Sequence, residues 1–208
     1  MMKKIAILLV CLLAAVATYA QTPEEILSRM EEVMSQSDTD GLVMTMDIKI
    51  PLLGTMSTKS YSLGNKMRLE MSEAGAKVIT WSDGKTSWTY NDKKNEVEIT
   101  NDKEGSSSDN NDAEMLTGIA DGYDVSIKKE TDEAWYIQCK KSKDNKIKDD
   151  PKSMDLVVAK GTYSPISLSA KMSGIKVTMR DFSFQVTEEQ VTFNPADYPN
   201  ATFIDKRN

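Results

Sequence analysis

From Gly41 onward the chain is dominated by alternation. In LVMTMDIKI (42–50), Leu42, Met44, Met46, Ile48 and Ile50 alternate with Val43, Thr45, Asp47 and Lys49. That period of two predicts a strand with one buried and one wet face. Residues 66–71 repeat it, with Met67, Leu69 and Met71 against Lys66, Arg68 and Glu70. The stretch KVITWSDGKTSWTYNDKKNEVEIT (77–100) supplies three strands. They are joined by a tight hairpin at Asp83-Gly84 and a weaker turn at 91–94, since Asp, Asn and Gly accept the backbone angles such turns demand. Further strands are predicted at 123–129, 135–140, 154–160, 166–172 and 175–186.

Two segments carry a helical period instead. In residues 23–36, Thr22 can cap, Pro23 occupies the first helical position and Glu25 completes a capping box, while Ile26, Leu27, Met30, Val33 and Met34 share one face. This helix either packs simply on the domain or covers a cavity as a lid. A shorter helix is predicted over 112–120, capped by Asp112, with Met115, Leu116 and Ile119 inward and Gly122 ending it. The acidic stretch 101–114 reads as a loop, and its Asp and Asn spacing lacks the central Gly and closing Glu of a calcium loop. Lysine-rich KKSKDNKIKDDPK (140–152) reads as a solvated loop with no binding role. The tally is a mainly-β chain with helices (α+β), about 10–11 antiparallel strands in sequential hairpins. A meander that long must curl or close.

The first twenty residues stand apart. Lys3 and Lys4, an apolar run to Val16 and small residues at Thr18 and Ala20 predict a secretory leader cut after Ala20, leaving one domain at 21–208 in the periplasm. Val10 before Cys11, with more apolar sequence following, argues against lipidation at that cysteine. Removing the leader takes Lys+Arg from 26 to 24 against 32 Asp+Glu, a net charge of −8. That sign argues against nucleic acid or an anionic membrane as the main partner. Only Cys139 then remains, so stability rests on the core rather than on a disulfide.

Composition also bounds the chemistry. The chain contains no histidine, which removes the commonest general base, the usual Ser and Cys triads and the usual zinc sites. No phosphate-cradling Gly-rich loop occurs, and most carboxylates fall in loops or on wet strand faces. The chain is therefore expected not to be an enzyme and to need no cofactor or metal. What stands out is methionine, 13 in all, of which Met1 and Met2 belong to the leader. Several sit on apolar strand faces where β-branched residues are favoured, and flexible thioethers suit a surface that must accept variable shapes. Ordinary core filling explains them equally well.

At this point RLEMSEAGAKVITWSDGKTSWTYNDKKNEVEIT (68–100) resembles the central block of the LolA-type outer-membrane lipoprotein carriers. The shared order is a strand running into Ser82-Asp83-Gly84-Lys85, the aromatic pair Trp88 and Tyr90, a turn, and a short strand containing Val97. The resemblance extends more weakly to the opening helix, to the short helix around Met115 to Ile119, and to Phe193, Asn194, Pro195 and Phe203 near the end. It implies an incomplete antiparallel β-barrel with a helical lid, binding lipoprotein acyl chains received from an inner-membrane exporter and passed to an outer-membrane acceptor. An Arg-Pro pair that the family carries before the strand at 67–71 is replaced here by Leu63, Gly64 and Asn65, so its arginine's part in lid opening does not carry over.

Periodicity, methionines and resemblance together define an expected hydrophobic cup lined by Met44, Met46, Met67, Leu69, Met71, Trp81, Trp88, Ile166, Leu168 and Met179. Ile26, Met30, Val33, Met115, Leu116 and Ile119 are the expected lid residues, on helices 23–36 and 113–120. The expected protein is a monomer with no nucleic-acid partner. Two other functions compete: a sensor or regulatory module of the same fold that binds a protein or another lipid, and a hydrolase using paired carboxylates.

Overall fold

The computed structural model describes residues 21–102, 118–148 and 150–207. Helix α1 (Pro23–Met34) starts as its capping box predicts: Glu25 N donates to Thr22 Oγ1 at 3.2 Å and Thr22 N to Glu25 Oε2 at 3.2 Å. It stops two residues before the expected end, and a short turn of helix, α2 (Ser37–Asp40), follows it. The chain then turns at Gly41, whose φ of +72° suits glycine; a Cβ there would strike the Ser62 carbonyl and lie 2.7 Å from the Val186 side chain.

Six strands then run outward as a meander: β1 (Leu42–Ile50), β2 (Gly54–Leu63), β3 (Lys66–Glu73), β4 (Ala76–Ser82), β5 (Thr86–Asn91) and β6 (Glu96–Asn101). Five more, β7 (Tyr123–Glu130), β8 (Ala134–Lys141), β9 (Ser153–Ala159), β10 (Pro165–Met172) and β11 (Ile175–Ser183), return from the far edge until β11 pairs with β1. After α3 (Glu188–Val191) and a 3-10 turn, β12 (Thr202–Asp205) joins the opposite edge beside β6. The result is one 12-stranded sheet, curled but not closed, with β12 and β7 at its ends.

The α+β class and open-barrel architecture thus match the expectation, and the sheet differs from it in detail. Strands β2 and β12 exceed the anticipated 10–11, and β12 pairs with β6 in parallel. Strand β11 ends at Ser183 rather than running to 186. Val43 and Thr45 pair with Ser183 and Arg180, which leaves one extra residue on β11, and Asp181 there has φ +58°. This is a bulge, which bends and locally re-aims the strand. The helix expected at 112–120 lies outside the described residues up to 117, and 118–122 form turns. No helix among the described residues is long and apolar enough to cross a membrane.

Candidate functional site

Alternation and pairing assign every strand residue to one of two faces. Helix α1 lies on the face built from Leu42, Met44 and Met46 of β1 together with Met179, Leu168, Leu156, Met154, Cys139, Ile137 and Trp135 from the returning strands. Ile26, Leu27, Met30 and Met34 of α1 are fully buried there, and Ile119, from the turn that precedes β7, is buried beside them. Val33 is only half-buried, and Met115 and Leu116 lie outside the described residues. At about 1.5–3 kcal/mol per buried side chain, the four buried residues hold α1 in place by on the order of 6–12 kcal/mol.

The helix is also tethered by polar and aromatic contacts. Arg29 stands 5.0 Å from the Tyr163 ring centroid, Tyr163 stacks on Trp135 at 5.4 Å, and Gln21 Nε2 donates to Tyr163 Oη at 2.6 Å. Across the helix, Gly118 N donates to Glu31 Oε1 at 3.0 Å. Cys139 sits at the base of this core, where burial pushes its thiol pKa up to about 11. It is therefore a neutral hydrophobe rather than a reactive group.

The same face continues beyond α1. Met46, Ile48 and Ile50 of β1, Met71 of β3, Ala170 of β10, and Ile175 and Val177 of β11 form a half-buried apolar strip, with Met56 and Met172 more than half or nearly half exposed at its outer end. Met67 and Leu69 extend it sideways across β3 and are half-buried. Further out on the sheet the face turns polar. Thr80 and Thr89 hydroxyls lie 3.1 Å apart, and Ser82 and Ser87 both donate to Asp102. The apolar cup is therefore confined to one half of the sheet.

Three of the ten expected cup residues are placed elsewhere. Glu73 pairs with Ala76 across a two-residue turn whose Ala74 and Gly75 both have positive φ, which sets Met67, Leu69 and Met71 opposite Ser82, Thr80 and Val78 and sets Arg68 opposite Trp81. Trp88 pairs with Trp81. Both tryptophans thus lie on the reverse face, where Phe193 packs on them with ring centroids at 5.3 and 5.5 Å, and Tyr198 meets Trp81 at 5.7 Å and Tyr90 at 4.5 Å. Arg68, expected on a wet face, lies over the Trp81 and Tyr61 rings at 5.6 and 5.2 Å and pairs with Glu70 at 2.5 Å. Ile166 falls at a bulge: Pro165 and Ser167 pair with Val158 and Val157, so Pro165 turns inward and Ile166 is left 45% exposed. The remaining seven share the helix face.

The reverse face behind the cup is polar. Asp47 accepts from Arg180 Nε at 2.7 Å and from Ser57 Oγ at 2.7 Å, clamping β11, β1 and β2 together. The Arg180 bond, then that of Ser57, holds the Asp47 carboxyl below its ordinary pKa. Among the described residues no group of three or more His, Cys, Asp or Glu is placed to hold a metal ion.

A curled, open antiparallel sheet with an amphipathic helix lying on its methionine-rich face defines a cup closed by its own helix. The chain belongs to the family of the outer membrane lipoprotein carrier protein LolA, whose model matches residues 16–178. No curated protein matches it. Among solved structures, an uncharacterized conserved protein of Thermus thermophilus is 16% identical at a TM-score of 0.44, covering 89% of this chain and 100% of that one. Mycobacterium tuberculosis lipoprotein LppX is 10% identical at 0.49, covering 80% and 98%. A LolA superfamily protein of Nitrosomonas europaea is 11% identical at 0.34, covering 85% and 100%. The family assignment rests on the sequence model.

Proposed function

We propose that this protein is a non-enzymatic periplasmic carrier, exported with cleavage after Ala20, that takes lipoprotein acyl chains into the cup when α1 moves aside. It would receive them from an inner-membrane exporter and release them to an outer-membrane acceptor. The observation that carries this reading is the half-buried apolar strip leading from beneath α1 to the open end of the sheet. A core meant only for stability would be sealed along its length.

Energetics supports an exchange between helix and lipid. An acyl chain of about sixteen carbons gains on the order of 12 kcal/mol on leaving water, at about 0.8 kcal/mol per methylene. That matches the order of magnitude holding α1 in its seat, so one acyl chain can replace the helix without a large net cost in either direction. Near-balance suits a carrier, which must release what it binds. Methionines at 44, 46 and 179 let the lining repack around either occupant.

The test is to delipidate the purified protein, offer it a synthetic di- or triacylated lipopeptide, and examine it by native mass spectrometry. A complex of one lipopeptide per chain is expected. Failure to retain any lipopeptide or lipid, both after this exposure and as isolated from the periplasm, overturns the carrier reading.

A further inference from the structure

We infer that the end of the sheet bearing the β1–β2 and β10–β11 hairpin tips is a docking surface for an anionic lipid bilayer. Leu52 and Leu53, at the β1–β2 tip, are 106% and 82% exposed, the most exposed large apolar side chains among the described residues. Leu52 also has φ +68°, a conformation that favours Gly or Asn. Leucine here is thus unfavourable for folding twice over, in backbone and in hydration, and nothing among the described residues covers it. Met56 and Met172, on the strands beside these tips, are 54% and 44% exposed, and Ile147, on the β8–β9 loop, is 63% exposed.

Cations surround these apolar groups. Lys49 pairs directly with Lys176, which in turn pairs with Lys171, so three exposed lysines stand side by side across β1, β11 and β10. Like charges directly opposite one another are destabilising in a sheet. The β8–β9 loop adds exposed Lys143, Lys146, Lys148 and Lys152, and the lining of an open groove of about 790 Å³ between that loop and the β10–β11 tip includes Lys148, Asp150, Pro151, Lys152, Lys171 and Met172. Among the described residues none of these seven lysines has an ion-pair partner. The loop sequence also contains Asp144, Asp149 and Asp150, against its four lysines, and Asp150 accepts from Asn145 Nδ2 at 2.8 Å.

The chain as a whole carries a net charge of −6, so this concentration of lysine runs against its composition. Strand alternation explains the layout. Lys49, Lys171 and Lys176 point to the reverse face, while Ile48, Ile50, Ala170, Met172, Ile175 and Val177 point to the helix face. The tips therefore present leucines at the extremity, lysines behind them, and the apolar strip opening between. Apolar insertion at the acyl boundary combined with lysine contact to anionic headgroups is the two-part signature of an interfacial binding surface.

This inference is independent of the cargo. The experiment is co-sedimentation of the purified protein with vesicles of phosphatidylcholine, with and without phosphatidylglycerol, at low and high salt. The wild type is expected to sediment with phosphatidylglycerol vesicles and to be released by salt. Leu52→Asn with Leu53→Ser, placed on a turn that accepts Asn, is expected to lower partitioning at least tenfold. Lys171→Gln with Lys176→Gln is expected to lower it by about fivefold per lysine and to flatten the salt dependence. Thermal melting of each variant checks that the fold is intact. No sedimentation of wild type with anionic vesicles overturns the proposal, as does a wild-type dimer, seen by light scattering, that the leucine variant abolishes without affecting sedimentation. Either failure leaves the carrier reading standing, since lipopeptide binding is measured without vesicles.

Discussion

The two halves of the sheet are covered on opposite faces and with different materials. Around β1 and the returning strands, a separate helix presents Ile26, Leu27, Met30 and Met34 to a bed of aliphatic and thioether side chains. Around β4 and β5, the reverse face is closed by the C-terminal segment through an aromatic cluster of Trp81, Trp88, Tyr90, Phe193 and Tyr198. The aromatic closure is anchored, because its covering segment ends in a strand hydrogen-bonded to β6. Among the described residues helix α1 pairs with no strand and is held mainly by side-chain contacts. One cover is tied into the sheet by backbone pairing and the other is not.

The sharpest way to break this contrast is Trp81→Ala, expected to cost about 3–5 kcal/mol in denaturant unfolding while leaving lipopeptide bound per folded molecule unchanged. Met30→Ala is expected to cost about 2–5 kcal/mol, yet to increase lipopeptide uptake, because it weakens the seat of the helix that the proposed carrier cycle moves aside. If both variants change uptake alike, the two covers are not functionally distinct. Thr22→Ala removes the cap of α1 and is expected to cost about 1 kcal/mol, with a smaller rise in uptake in the same direction. The smallest effect concerns acid. Because Asp47 has a lowered folded pKa, its contribution is present above its unfolded pKa of about 4 and is lost as pH falls through the folded value. The stability gap between wild type and Asp47→Asn, followed by thermal melting, should therefore shrink below that range.

Where local chemistry dictates structure, it is legible in the residues. The capping box of α1, the alternation of β1 and the Asp83-Gly84 turn need no partner to announce themselves; Asp83 Oδ1 accepts from Lys85 N and Thr86 N at 2.9 and 2.8 Å as an isolated turn would. Strand β2 is hidden because GTMSTKSYSL has too few apolar residues to show a period, and it is held between β1 and β3 by pairing rather than by its own pattern. The cup is half legible for a related reason. Period two says that Trp81 and Met71 each lie on a buried face, but only the turn between them says whether it is the same face. The two-residue Ala74-Gly75 turn puts them on opposite sides, and an Ala-Gly pair is a weak turn signal.

Strand β1 pairs on one side with its neighbour in sequence and on the other with β11, whose residues lie more than a hundred positions later, as in the match of Lys49 with Lys176. Until β11 has been synthesised, that second edge of β1 has no partner. The bed for α1 is likewise missing, since most of it comes from β8 to β11. The first helix therefore cannot find its seat until nearly the whole chain exists, and non-local pairing of this kind makes assembly slow. The meander β1–β6 pairs between sequence neighbours, so the seat of α1 is the part of the fold that depends on the last strands of the sheet to be made.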